Sequence, residues 1–263
     1  MQNNRNKLIK IFLTNFIFLF LFAQNSFAST SRNLTIFAEP NMVLALTKIA
    51  RLYSQKSNVI VSVNFNSGAD LIANVDSGEP ADVFISAHVG WIEALRQKGL
   101  VDIYNTSYIA SDEVVLTTLK SNPNLPEELH SEKLSFEDAL TILNRNKATL
   151  ILDYEGNSSG KISNDLIKNS SFTDLKVSSK LPEDKSPILN ILRSHNEDYA
   201  LLLASQIKNE PDFQVLTTKK DEKIFYHALV IAGDNMEIAR EFLKFLKADA
   251  ARKILEQNGF IVN

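Results

Sequence analysis

"NVIVSVNFNSGADLIANVDSGEPADVFISA", residues 58–87, holds the pattern on which the fold turns. "VIVSVNF" alternates apolar and polar residues as a half-buried strand does. Asn66-Ser67-Gly68 is a small polar turn. "GADLIANVDSG" then spaces its apolar residues as a short helix ended by Gly78, and "ADVFISA" is a second strand. Strand, helix and strand joined by short turns form a βαβ unit. The first turn is either ordinary punctuation or the place where a small ligand meets the unpaired N–H groups of a helix start.

The same alternation runs outward in both directions. Upstream, "LTIFAE" is a short strand and "NMVLALTKIARLYSQKS" a helix, with Leu44, Leu46, Ile49, Ala50, Leu52 and Tyr53 near helical spacing. Pro40 suits the first turn of that helix, where its missing N–H costs nothing. Downstream, "VGWIEALRQKGL" is a helix stopped by Gly99, and "SYIASDEVVLTTL" is a long extended run without an internal turn. "SFEDALTILNR" begins a helix at Ser135, "ATLILDYEG" is a strand, and "NSSGKISNDLIKN" is a polar turn entering a helix. After the helical "SPILNILRSHN" and the mixed "DYALLLASQIK" come a strand, "FQVLTT", and a separate extended run, "KIFYHALVIAG". The closing "NMEIAREFLKFLKADAARKILEQNGFIV" reads as one long amphipathic helix, a stop at Gly259 and an apolar tail. The pattern predicts an α/β protein of two lobes with mostly parallel sheets flanked by helices, joined by two crossing segments. Residues 29–110 and 228–263 make the first lobe and 111–227 the second.

Residues 1–28 have the organisation of a secretory signal peptide. Arg5, Lys7 and Lys10 form a positive start, "IFLTNFIFLFLFA" an apolar core, and "SFA" a small-residue cleavage site at Ala28. The apolar stretch is short for a bilayer span and is interrupted by Thr14 and Asn15. Export to the periplasm as a soluble chain is the expectation. Removing the leader takes away three positive charges and no negative ones, so the formal balance moves from −3 to −6. A chain of that balance is not expected to bind nucleic acid, which calls for a clustered basic surface. There is no cysteine, so disulfides and thiolate metal sites are unavailable, and a lipid anchor on cysteine is excluded.

Catalytic motifs are missing from the chain. His88, His130, His195 and His227 are scattered without ligand spacing to one another. Ser67-Gly68 lacks the G-x-S-x-G frame of a nucleophile elbow. No P-loop or G-x-G-x-x-G occurs. An enzyme is not expected, nor a protein-bound metal cation or cofactor.

"LTIFAEPNMVLALTKIARLY", "VNFNSGADLIANVDSGEPADVFISAHVGWIEALRQKGLVD", "EDKSPILNILRSHNEDYALLLAS" and "AREFLKFLKADAARKILEQNGFIV" together resemble the periplasmic molybdate-binding proteins of ABC importers. "SGEPADVFISA" with Trp91 is the most specific piece. The resemblance implies a two-lobed periplasmic-binding-protein fold of type II. It also implies a molybdate or tungstate oxyanion held between the lobes by hydroxyls and helix-start amides, and a monomer delivering it to a membrane permease. Lobe closure would be a hinge motion.

Carried over residue by residue, the implied ligand shell departs from the family pattern. Asn41 stands where the family offers a hydroxyl, beside Glu39 and Pro40. Glu39 either complements a helix dipole or places a carboxylate near the anion. In the second turn the ligating position falls on Gly68, with Ser67 as a substitute donor or as the cap of the following helix. Ser159, beside Ser158, matches a backbone donor of the second lobe. Lys185 stands where the family has a small apolar residue, so it either pairs with the anion or is solvated. Leu203 replaces a contributing tyrosine, with Tyr199 four positions away. Two further readings stay open: the same scaffold carrying a different small anion, and an exported relative without ligand that acts through protein contacts.

Overall fold

The computed structural model describes residues 32–131, 134–170, 172, 175–178 and 187–262. The leader reading and Lys185 lie outside the described residues. Eight strands are present among them: β1 (Arg32–Ala38), β2 (Val59–Phe65), β3 (Val83–Ser86), β4 (Val101–Leu119), β5 (Leu150–Leu152), β6 (Val177–Ser178), β7 (Tyr199–Leu203) and β8 (Phe213–Ile231). They lie in one sheet in the order β2-β1-β3-β8-β4-β7-β5-β6.

The flanks of this sheet are parallel: β1 pairs with β3, and β5 pairs with both β6 and β7. β3, β5 and β7 are buried along their whole length, as their near-continuous apolar sequences require of strands covered on both faces. The centre is antiparallel, because β8 runs against β3 and β4, and β4 against β7. The two long strands therefore tie the flanks together. Their ladder shifts register between Tyr108 and Ala110, Glu113 and Val115, and Leu116 and Thr117. Such irregularities bend a ribbon locally and strengthen its twist.

"FQVLTT" and "KIFYHALVIAG", expected as separate strands, are one. Val115 pairs with Thr218 and Glu113 with Lys223, so the polar residues between Thr218 and Lys223 sit as extra residues in a continuous ladder. A run of charges looks like a break in the alternation, yet the partner strand keeps the backbone extended.

The helices are α1 (Val43–Ser57), α2 (Gly68–Asp76), α3 (Val89–Gln97), α4 (Phe136–Arg145), α5 (Ser158–Lys168), α6 (Ile188–Ser194), α7 (Ala204–Ile207), α8 (Met236–Leu246) and α9 (Asp249–Gln257). Pro40–Met42 forms a 3-10 turn ahead of α1, with Pro40 in the position expected of it. The single C-terminal helix expected from the sequence is two, α8 and α9. Ala248 between them is extended, at φ −72° and ψ 148°. The break lets Ala251 and Leu255 of α9 join Phe242 and Leu246 of α8 in the core that also holds Leu46 and Ile49 of α1. Gly259, at φ +92°, then turns the chain so that Ile261 exchanges two 2.8 Å backbone hydrogen bonds with Ser111 of β4. A second cluster, Phe37, Leu71, Phe84, Leu95 and Leu229, fixes α2 and α3 against the sheet. Burying each such side chain stabilises the fold by about 1.5–3 kcal/mol.

Candidate functional site

Three remote pieces of chain meet at Glu39, the residue after β1. Ser86 ends β3 and donates its hydroxyl to Glu39 Oε1 at 2.6 Å. Ser158 opens α5 and donates twice: Oγ to Oε1 at 2.5 Å, and its backbone N–H to Oε2 at 2.6 Å. The Ala87 amide donates to the same carboxylate. Glu39 is only 2% exposed. Burial pushes its carboxyl above the ordinary carboxylate range, against the opposing pull of the Ser158 and Ser86 hydroxyls and of the two amides.

This is the arrangement by which proteins bind oxyanions: hydroxyls and amides at helix starts, in a site with little water. Its occupant is a side chain of the chain itself. Glu39 was a dipole-complementing carboxylate in one sequence reading. It does face a helix start, but that of α5, 119 residues on, and not that of the helix next to it.

A cavity of about 330 Å³ is lined by the chain neighbours of the cluster, Pro40 and Asn157, though not by Glu39, Ser86 or Ser158 themselves. Asn41, Asn66, Ser67, Asp153, Tyr154, Asn157, Ser205, Gln206 and Glu210 supply its polar lining, and Leu44, Ile188 and Leu189 are among its apolar residues. None of its described lining residues is basic. Asn41 donates its side-chain amide to Ser205 Oγ at 3.3 Å and to the Tyr226 hydroxyl. Asp153 accepts from the Tyr154 amide at 2.8 Å, Asn157 at 3.2 Å, Gln206 at 3.3 Å and the Ser159 hydroxyl.

Asn41 and Ser67 thus line one cavity, while the other sequence-derived positions do different things. Ser67 Oγ accepts the Asp70 amide at 3.1 Å, capping α2, and Asn66 Oδ1 holds the Ser67 amide at 2.9 Å. Gly68 faces Trp91, and a Cβ added to it would lie 2.6 Å from the indole. The next amide, Ala69, donates to the Gly156 carbonyl at 3.1 Å, joining the start of α2 to the loop before α5. Ser159 turns its hydroxyl to Asp153, leaving the neighbouring Ser158 on the carboxylate. Leu203 packs in the core, and its amide donates to Gln206 Oε1 at 2.9 Å. Tyr199 donates to the Asn124 carbonyl, away from the cavity. The tyrosine that meets Asn41 is Tyr226 of β8.

Glu39, Ser86, Ala87 and Tyr226 were missed as a set. A backbone donor such as Ala87 leaves no side-chain signal, and Ser86 looks like any small strand residue. Among the described residues no group of three or more His, Cys, Asp or Glu could hold a metal ion, and no helix is long and apolar enough to cross a membrane.

Residues 34–261 match the family described as bacterial extracellular solute-binding protein. The chain is 26% identical over 244 residues to the molybdate-binding protein ModA of Haemophilus influenzae, covering 89% of this chain and 92% of that one. It is 22% identical over 247 residues to ModA of Escherichia coli, covering 92% and 94%. The periplasmic molybdate-binding protein of Azotobacter vinelandii superposes with a TM-score of 0.65 at 15% identity, over 88% of this chain and 99% of the other. The match over nearly all of the described chain makes this protein a member of the bacterial extracellular solute-binding protein family.

Proposed function

We propose that this chain captures a molybdate- or tungstate-type oxyanion between two lobes and delivers it to an ABC permease in the inner membrane. The observation that carries the reading is the cluster at Glu39. Two separate strand-to-helix handovers, Ser86-Ala87 and Asn157-Ser158, aim hydroxyls and amides at one negative group. Neutral donors suit a carrier, because the ligand is held without a countercharge that would slow its release. The two relatives whose names state molybdate binding cover most of their length with this chain.

The remaining parts of the proposal follow the same pattern. Residues 1–28 direct export to the periplasm, and the mature chain works as a monomer without catalysis. Residues 29–110 with 228–263 form one lobe and 111–227 the other, with β4 and β8 as the hinge. The register shifts near Tyr108 and Glu113 are local irregularities in these two strands, which supports that reading.

A thermal-shift panel tests the ligand. An oxyanion at 1,000 times its Kd stabilises by about 4.1 kcal/mol, which for a chain of this size raises Tm by roughly 10 °C. Molybdate and tungstate are expected to give that shift while sulfate and phosphate do not. No shift with any oxyanion on wild type or on a variant with an emptied donor cluster would sink the reading. The cavity favours one second reading, a small organic anion whose carbon skeleton meets Leu44, Ile188 and Leu189. A shift confined to organic acids would select it.

A further inference from the structure

We propose that Glu39 sets the ligand selectivity of this protein, its carboxylate being a built-in occupant of the Ser86, Ala87 and Ser158 donors that an oxyanion must turn out in order to bind. The inference rests on the oxyanion reading of the same site and deepens it.

Glu39 is treated by its surroundings as a ligand. Its partners come from segments 47 and 119 residues away, and all of them donate. Both of its oxygens are used, with Oε1 receiving the two hydroxyls and Oε2 the Ser158 amide. The Ser86 and Ser158 hydroxyls lie 3.3 Å apart, close enough to grip a single oxygen from two sides. The Ser86 hydroxyl also accepts the His88 amide at 3.1 Å, which orients it while it donates to Glu39. An incoming dianion therefore finds the cluster filled and of like charge.

Displacement is nonetheless within reach. Pro40 and Asn41, the next two residues, and Asn157, the residue before Ser158, line the cavity, so both the carboxyl and one of its donors are one residue removed from open space. Burying the carboxyl carries a desolvation cost that its hydrogen bonds must offset, so it is held less firmly than a count of those bonds implies. Apparent affinity falls in proportion to the fraction of molecules whose donors are free. A carboxylate seated in nine molecules of ten lowers it about tenfold. Selectivity follows from the same competition. Only an anion that makes better use of hydroxyls and amides at once than a tethered carboxylate does will displace it.

The test is calorimetric titration of sodium molybdate and sodium tungstate into the full mature chain as wild type, Glu39→Ala and Glu39→Gln. Glu39→Ala empties the cluster, while Glu39→Gln keeps the volume but puts an NH2 where a donor already points. Affinity is expected to rise in the order wild type, Gln, Ala, by about tenfold or more at the end of the series. A silent wild type with a binding Ala or Gln variant would support the proposal equally. Unchanged or weaker binding by folded variants of a wild type that binds would overturn it and leave the oxyanion reading intact. Silence from all three would overturn both. Where Glu39→Ala does not fold, the Gln variant alone decides.

Discussion

Two helix starts in this molecule, α2 at Gly68 and α5 at Ser158, follow a strand through a short polar turn and expose the same kind of unpaired amide. They are satisfied differently. At α2 the acceptors are neutral: Ser67 Oγ takes the Asp70 amide, and the Gly156 carbonyl takes the Ala69 amide. At α5 the acceptor is the buried Glu39 carboxylate, shared with Ser86 and Ala87 from the approach to α3. A helix start presents roughly half a positive charge, and of these two only α5 turns it on a carboxyl group. Possession of free N–H groups therefore does not make an anion site. What distinguishes α5 is that a second strand end delivers hydroxyl and amide donors to the same point.

The sharpest way to break the α5 side is Gly160→Ala. A Cβ there would lie 2.1 Å from the Tyr154 carbonyl oxygen and 2.4 Å from that of Asp153. Neither backbone group can move without dragging Ser158 and the Asp153 network with it. A loss above about 4–5 kcal/mol is expected, the range reserved for a broken packing constraint. Chemical denaturation measures it, and a loss below about 1 kcal/mol would show that α5 is not pinned by this close approach.

Asp112 offers a third version of the same contrast. It is a buried carboxylate of β4 receiving the Ser205 amide at 3.3 Å, at the start of α7. Burial raises its pKa from 3.8 to about 7 despite the Ser205, Glu113 and Ala204 donors. The folded state thus holds a proton on Asp112 that the unfolded chain has lost by pH 5. Its contribution to stability is fully present below about pH 4 and is lost as pH rises to about 7, on the order of 4 kcal/mol. Asp112→Asn should flatten that part of the profile. Glu39, whose carboxyl is also raised, leaves a residual slope of the same sign. Urea titrations at intervals from pH 4 to pH 8 compare the two chains, and parallel profiles would remove Asp112 as the source.

The order of elements was legible because it is local. Alternation in "VIVSVNF", the glycine stops at Gly78 and Gly99, and the Ser135 cap all act within a few residues, and the structure places β2, α2, α3 and α4 there. The C-terminal break at Ala248 was hidden because neither glycine nor proline marks it; it follows from how α9 packs. The lining of the candidate cavity was legible only in part. Asn41 and Ser67, which line it, stood out because a polar residue at a strand-to-helix turn has few local jobs. The partnership of Glu39 with Ser158 could not, since nothing near residue 39 announces a donor 119 residues away.

The smallest expected effect belongs to the neutral helix start, and it is the control for the rest. Ser67 was open to two roles, capping and ligand donation, and one oxygen serves them poorly together. The structure spends that oxygen on the Asp70 amide at 3.1 Å. Ser67→Ala should therefore cost about 1 kcal/mol of stability, with oxyanion affinity lowered less than threefold once folding is matched. Calorimetry and denaturation on the same variant separate the two. If affinity falls tenfold while stability is unchanged, Ser67 acts on the ligand and α2 joins α5 as an anion-bearing helix start, and the distinction between the two turns is lost.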